Sequence, residues 1–149
     1  LPSDLSKLSE TEVFLEQIMQ HFGIKEDFLG ILSVPLNECV KNAVIHGNKC
    51  DKTKKVVIEV QLKKSKLCFS VSDEGEGFDY ESVMKTTPEQ QEKNGLCIVK
   101  MLAQNPTFSR NGTQISYTID VPFSCDKNRQ NQRAEALLQS QISVKNSQI

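Results

Sequence analysis

The residues best suited to chemistry in this chain lie on one helical stripe and in one glycine-containing loop. Glu38, Asn42 and His46 are four residues apart, so a helix would place them on one face. A carboxylate and an amide oxygen one turn apart suit a general base beside a hard cation such as Mg²⁺. The same spacing is common on the solvated face of any helix, so the stripe alone does not define a site.

The loop DEGEGFD, residues 73–79, places two glycines among carboxylates directly after an alternating strand pattern. It does not fit an EF-hand, because glycine occupies positions where oxygen ligands should be and no glutamate ends a twelve-residue loop. Neither a Walker P-loop nor a GxGxxG fingerprint occurs in the chain. Asp73, a carboxylate at a strand end, is instead a suitable acceptor for an amino group such as adenine N6.

A third feature is the segment NGLCIVKML, in which Asn94, Gly95 and Leu96 begin a helical pattern. Backbone N–H groups at a helix N-terminus point outward and attract phosphate. Asn-Gly before a helix is also a common start signal, so this feature is equally weak by itself.

The elements that position these residues follow from hydrophobic periodicity. The first helix is predicted over residues 9–22, with Ser9 and Glu12 forming a capping box. The second is predicted over residues 26–46, and Pro35 inside it should kink it or split it in two.

Two hairpins complete the pattern, with an irregular segment and a helix between them. In chain order these are strands 55–62 and 66–73, a loop over 78–94, a helix over 94–105, and strands 106–110 and 113–121. The expected fold is an α+β two-layer sandwich with helices on one face of a mixed, mostly antiparallel sheet. We predict one domain over residues 1–123 and a polar, partly disordered tail over 124–149, although a short amphipathic helix within that tail stays open.

Composition limits the function classes. The net charge is −1 and tryptophan is absent, which argues against direct nucleic-acid binding or attachment to an anionic membrane. The five cysteines include no CxxC pair, which is typical of reduced intracellular thiols and not of a disulfide framework or a zinc site. We find no apolar run of membrane-spanning length and no signal peptide, so the cytoplasm is the expected location.

The order of these features is more specific than any one of them. LNECVKNAVIHGNK is followed by DEGEGFD, then by NGLCIVKMLA and NGTQISYT. This order resembles the ATPase superfamily of gyrase, heat-shock chaperones, histidine kinases and MutL, over about residues 1–121. Within that superfamily the size of the chain and the boxes NAVIHGN and GFD are most similar to bacterial anti-sigma factors that are serine-protein kinases.

The resemblance implies roles for the motif residues at the adenine end of a nucleotide. Asp73 would accept a hydrogen bond from adenine N6, with Thr113 assisting. Gly75 and Gly77 would leave room for the base. His46, at the end of the first box, would be structural.

At the phosphate end, the resemblance implies that Asn42 ligates Mg²⁺ and that Glu38 is the general base on the attacking hydroxyl. Residues 78–94 would form a lid. The nucleotide contacts there would come from the start of the third helix, at Lys93, Asn94, Gly95 and Leu96.

Three functions stay open. The resemblance implies an ATP-dependent serine kinase that phosphorylates an anti-sigma factor antagonist of the STAS type and sequesters a sigma factor, and it is compatible with a homodimer. Lys93 replaces a usual glycine and Pro35 lies shortly before Glu38, which leaves open a non-catalytic nucleotide-binding module acting by contact. The third function is a detached histidine kinase catalytic domain, although no dimerisation helix with a phospho-accepting histidine precedes the first box.

Overall fold

The chain forms a four-stranded sheet with helices packed on one face. The computed structural model describes residues 3–79 and 95–122. Its elements are a 3₁₀ turn (Leu5–Lys7), α1 (Leu8–Phe22), a 3₁₀ turn (Glu26–Phe28), α2 (Leu29–Asn42), a π-helical turn (Ala43–Gly47), β1 (Val56–Lys63), β2 (Lys66–Asp73), α3 (Gly95–Leu102), β3 (Gln104–Ser109), a 3₁₀ turn (Arg110–Gly112) and β4 (Gln114–Asp120). The predicted α+β fold and the predicted order of helices and strands are therefore confirmed.

The strand order is β1-β2-β4-β3, and every neighbouring pair is antiparallel. The prediction of a mixed sheet is therefore wrong for the strands that the structure describes. Each hairpin reverses the chain, and the two hairpins meet through β2 and β4, which also run in opposite directions. This order brings the end of β2 beside the start of β4.

The core lies between the sheet and the helices. Alternate residues of each strand face it, as the two-residue period of a strand requires. The buried strand residues include Val56, Ile58, Val60, Leu67, Phe69, Val71, Ile115, Tyr117 and Ile119. The buried helix residues include Leu15, Ile18, Phe22, Leu32, Leu36, Cys39, Val40 and Val44. The rings of Phe69 and Tyr117 stack at the centre, with centroids 5.1 Å apart.

The start of α1 differs from the prediction. The helix begins at Leu8, its N-cap residue Lys7 makes no side-chain capping bond, and Ser9 lies inside the first turn. The preceding 3₁₀ turn is the capped one, because Asp4 Oδ1 accepts a hydrogen bond from the backbone N–H of Ser6 at 3.0 Å. The predicted capping box of Ser9 and Glu12 is therefore wrong.

Pro35 does not divide the second helix, because α2 continues through it from Leu29 to Asn42. Of the two predicted effects of Pro35, the split is therefore wrong, and the kink stays a prediction. A proline removes one helical hydrogen bond, and here its ring is buried in the core, where packing offsets that loss. The irregular part of the helix lies further on, at the π-helical turn Ala43–Gly47.

The continuous helical segment Glu26–Gly47 is long and apolar enough, by length and composition, to cross a membrane. This differs from the prediction that no apolar run of the sequence is of membrane-spanning length. Several of its side chains, including Leu32, Leu36 and Val40, are buried against the other elements of the core. The core helix of a soluble protein passes the same test.

Several sequence predictions fall outside the described residues. These are most of the predicted lid, Lys93 and Asn94 within it, and the tail over residues 124–149. The domain boundary at residue 123 likewise stays a prediction.

Candidate functional site

A cavity of about 660 Å³ opens between α2, the π-helical turn, the end of β2 and the β3–β4 hairpin. Six of the residues singled out from the sequence line it: Glu38, Asn42, His46, Asp73, Gly95 and Thr113. Its other lining residues are Cys39, Lys41, Ala43, Ile45, Gly47, Val71, Phe78, Phe108, Gly112 and Ile115. The structure therefore brings together residues of four motifs that are distant in the sequence.

The last turns of α2 supply one wall of this cavity. Glu38 Oε1 accepts a hydrogen bond from Lys41 Nζ at 3.1 Å. The Nδ2 atom of Asn42 is buried and has no hydrogen-bond partner among the described residues. A buried amide group without a partner is costly, so this N–H group is available to a polar ligand or a water molecule in the cavity.

The π-helical turn widens the end of this helix. Its characteristic hydrogen bond runs from the backbone N–H of Asn48 to the carbonyl oxygen of Ala43, at 2.8 Å. Consecutive residues of the turn, Ile45, His46 and Gly47, all line the cavity. Single π-helical turns within α-helices are frequent at functional sites.

Asp73 ends β2 on the opposite wall. Its Oδ1 atom accepts a hydrogen bond from the backbone N–H of Gly75 at 2.8 Å, and its own N–H donates to the carbonyl oxygen of Thr113 at 2.9 Å. Burial raises the pKa of the Asp73 carboxyl, and the Gly75 hydrogen bond and the positive charge of Lys54 oppose that shift. A half-buried carboxylate that carries a desolvation cost is a good acceptor for a ligand N–H group.

The wall around Asp73 depends on close approach between backbone segments. A Cβ atom at Gly47 would overlap the Asp73 carboxylate, and one at Gly75 would overlap the carbonyl oxygen of Gly47. Gly77 has a φ of 84° and lies against the carbonyl oxygen of Asn111. Gly75 and Gly77 are not among the lining residues of the cavity, so the structure shows them supporting its wall.

Asn48 holds this wall together, although it was not among the site residues predicted from the sequence. The residue is fully buried. Its Oδ1 atom accepts a hydrogen bond from the backbone N–H of Glu74 at 2.9 Å, and its Nδ2 donates to the carbonyl oxygen of Lys55 at 3.0 Å. It therefore joins the end of the helix to the start of β1 and to the residue that follows Asp73.

The start of α3 closes the cavity on the side of Glu38. A Cβ atom at Gly95 would overlap Glu38 Oε2, so the carboxylate lies directly against this helix start. Leu96 is the second residue of α3. The carboxylate of Glu38 is thus held between Lys41 on its own helix and the first residue of α3.

Apolar side chains complete the lining. Phe78 and Phe108 meet edge to face with ring centroids 5.5 Å apart, beside Val71 and Ile115. The sequence contained Phe78 in the GFD box but gave no signal for Phe108. A mostly apolar cavity with a few convergent polar groups is typical of a small-molecule site.

The oxygen donors of this cavity fit a magnesium ion bound together with phosphates. Asn42 offers an amide oxygen, and Mg²⁺ takes few protein ligands when phosphates and water supply the others. Among the described residues no group of three or more His, Cys, Asp or Glu side chains would hold a metal. Any such ion would therefore depend on the nucleotide for most of its ligands.

The described cysteines support the prediction of free thiols. Cys39, Cys50 and Cys68 form no disulfide. Cys39 lines the cavity, but it is almost completely buried, and burial raises the pKa of its thiol far above the ordinary value. A thiol with such a pKa is not a nucleophile at neutral pH.

Comparison with known proteins identifies the family. The sequence model of the histidine kinase-like ATPase domain matches residues 1–119, and the chain belongs to this family. The resemblance proposed from the four sequence boxes is therefore confirmed. The fold and the family match together define the chain as an ATP-binding domain of this family.

Individual relatives add a narrower similarity. Anti-sigma F factors of Clostridium perfringens strains SM101 and 13 are each 35% identical to this chain over 48 residues, which is 32% of this chain and 34% of theirs. The match thus spans about a third of the length of these curated relatives. It supports a regulatory ATP-binding module.

Two solved structures are similar in fold. The blue-light activated histidine kinase of Erythrobacter litoralis EL346 has a TM-score of 0.49 and 22% identity, over 70% of this chain and 33% of that one. The histidine kinase domain of the same protein has a TM-score of 0.49 and 18% identity, over 93% and 65% of the two chains.

Proposed function

We propose that this chain is an ATP-binding anti-sigma regulatory factor that phosphorylates a serine on an antagonist protein and sequesters a sigma factor. The observation that carries the proposal is the single cavity that holds Asp73 at one end and Glu38 with Asn42 at the other. The family match supports ATP as the ligand. The similarity to anti-sigma F factors supports the two protein partners, and such a factor would act in the cytoplasm, where those partners are.

At the adenine end, Asp73 accepts the hydrogen bond from N6, and Thr113 lies beside it through the backbone bond between the two residues. Val71 and Ile115 contact the base and exclude water from this bond. Exclusion of water strengthens the interaction between the carboxylate and the amino group.

At the phosphate end, Asn42 would hold a magnesium ion through its amide oxygen, and the ion would supply charge neutralisation to the triphosphate. The backbone N–H groups at the start of α3, at Gly95 and Leu96, bind phosphate oxygens, together with Lys93 and Asn94 just before the helix. Positioning and charge neutralisation are the main requirements of phosphoryl transfer.

Glu38 is the general base. It takes the proton of the serine hydroxyl as the serine oxygen forms a bond to the γ-phosphorus. The bond from the γ-phosphorus to the oxygen that bridges it to the β-phosphorus breaks, and ADP leaves with that oxygen. The products are phosphoserine and ADP, and the proton passes from Glu38 to solvent.

A non-catalytic module was favoured in the sequence by Pro35 and Lys93. The structure removes the first of these reasons, because α2 runs unbroken through Pro35 and delivers Glu38 to the lining of the cavity. The kinase is therefore the function that we put to the test.

The test combines binding and transfer. Titration calorimetry with ATP and Mg²⁺ should show binding by the wild-type chain and, within about threefold, by Glu38→Ala, because Glu38 acts on the hydroxyl and not on the nucleotide. With labelled ATP and STAS-type antagonist proteins, the variant should lose at least about a hundredfold in the rate of phosphoserine formation.

Three outcomes would count against the proposal. Absence of ATP binding by the wild type would refute it entirely. Binding without transfer to any serine would favour the non-catalytic module, and transfer to a histidine would favour a histidine kinase domain. Equal transfer by Glu38→Ala and the wild type would show that another residue is the base.

A further inference from the structure

Lys41 lies between Glu38 and Asn42 in the chain, lines the same cavity, and has no role in the mechanism above. We propose that Lys41 is a ligand of the ATP γ-phosphate and that it moves there from Glu38 when ATP binds. This inference rests on the proposed function, because it requires ATP in the cavity.

The ion pair between Lys41 and Glu38 is weak enough to break when a stronger anion binds. Its Nζ is 3.1 Å from Glu38 Oε1, and the two side chains are 44% and 21% exposed. Ion pairs three residues apart on a partly exposed helix face are weak, because water competes for both groups. A more highly charged anion in the cavity can therefore displace the Glu38 carboxylate from the lysine.

The charges that line the cavity favour this movement of Lys41 from Glu38 to the γ-phosphate. Among the described lining residues there are two carboxylates, Glu38 and Asp73, and Lys41 is the one lysine or arginine. A triphosphate keeps negative charge after it binds Mg²⁺, so the carboxylate of Glu38 repels its terminal group unless a cation lies nearby. A lysine ammonium is a common ligand of phosphate because it is a compact charge on a flexible stem.

The geometry places this cation at the reacting end of the nucleotide. Lys41 Nζ already contacts the carboxylate that would take the proton of the attacking hydroxyl. The γ-phosphate must lie beside that hydroxyl, so it lies within reach of the same ammonium group. Glu38 keeps its position when the lysine leaves, because its Oε2 atom lies against Gly95.

The exchange links the base to the presence of the γ-phosphate. With ADP in the cavity, Lys41 stays on Glu38 and blocks one lone pair of the carboxylate. With ATP, the lysine binds the phosphate and Glu38 is free to accept the proton. The residue is thus a phosphate ligand that also discriminates between ATP and ADP.

The test measures the affinity of Lys41→Met for ATP and ADP, each with Mg²⁺, by titration calorimetry. We expect ATP to bind about tenfold more weakly, which corresponds to about 1.4 kcal/mol, and ADP to bind within about twofold of the wild type. Lys41→Arg keeps the charge and should recover most of the loss.

Lys63→Met is the matched control. Lys63 is exposed and ends β1 at the hairpin, whereas Val56 at the other end pairs with Asp73. Seven residues of strand place it about 23 Å from the cavity wall, so the same loss of charge should leave both affinities unchanged.

The outcomes separate this inference from the proposed function. If the wild type binds neither nucleotide, the proposed function fails and the inference with it. If the wild type binds ATP and Lys41→Met binds it equally well, or loses ATP and ADP to the same extent, the inference alone is wrong.

Discussion

Replacement of Asp73 by asparagine tests the adenine end of the site with the smallest change of shape. The Oδ1 atom of Asp73 is already occupied by the Gly75 N–H at 2.8 Å, so an asparagine would keep its oxygen there. Its amide nitrogen would then stand where the second carboxylate oxygen stood. A hydrogen-bond donor would face the adenine N6 donor.

The expected loss follows from the bond that is removed. A hydrogen bond to a charged group contributes about 1.5–3 kcal/mol, and Asp73 is half-buried, which supports a value within this range. We therefore expect Asp73→Asn to weaken ATP binding by about 10- to 150-fold. Titration calorimetry with Mg²⁺ and ATP measures this directly.

The same variant should stabilise the protein without ligand. Burial raises the pKa of the Asp73 carboxyl above its ordinary value of 3.8, so folding favours the protonated form. The stability that this group contributes at low pH is lost as the pH rises through the folded-state pKa, and the ionised group is a net cost at neutral pH. Asparagine has no charge to desolvate, so the melting temperature of Asp73→Asn should exceed that of the wild type at neutral pH.

Asp27→Asn serves as the control for both measurements. Asp27 is exposed in the 3₁₀ turn before α2 and lies about 16 Å along the helix from Glu38, the first residue of α2 that lines the cavity. Neither the affinity for ATP nor the melting temperature should therefore change appreciably. If Asp73→Asn binds ATP within threefold of the wild type, Asp73 is not the adenine acceptor. A lower melting temperature would show that the carboxylate is structural.

Two further substitutions test the support of the site. Gly95→Ala would place a methyl group against the Glu38 carboxylate, so phosphoryl transfer should fall by about tenfold or more while ATP affinity changes little. Gly30→Ala, whose added methyl group would meet nothing within 4 Å, should leave transfer unchanged, and an equal loss in both variants would contradict the argument. Asn48→Ala leaves two backbone partners unpaired and should cost about 2 kcal/mol in urea unfolding, whereas exposed Gln17→Ala should cost less than about 0.5 kcal/mol. A loss as small as that of Gln17→Ala would show that water replaces the Asn48 bonds.

Local sequence patterns were sufficient to predict the order of helices and strands in this fold. Alternating apolar residues predicted β1 and β2, and Asn111-Gly112 predicted the last hairpin, because these signals depend on residues that are adjacent in the chain. The pairing of β2 with β4 was not predicted, since it is decided by how α3 returns the chain to the sheet. Local reasoning failed in the same way at α1, where Asp4 caps the chain before Ser9 is reached.

The sequence predicted the site residues that belong to recognisable motifs. Glu38, Asn42 and Asp73 were found by type and spacing, and the structure places all three in one cavity. Asn48 was missed because its burial depends on Lys55 and Glu74, and nothing in the surrounding sequence marks a polar residue as a core residue. The roles assigned to these residues stay predictions until the substitutions are measured.

The helix that bears Glu38 also bears Gly47, which lies against the Asp73 carboxylate. Nine residues separate them, which corresponds to about 13 Å along a helix axis. The carboxylates of Glu38 and Asp73 therefore lie near the two ends of this helical segment. If ATP binds as proposed, with adenine at Asp73 and the γ-phosphate at Glu38, the length of this helical segment sets the distance that the nucleotide must span.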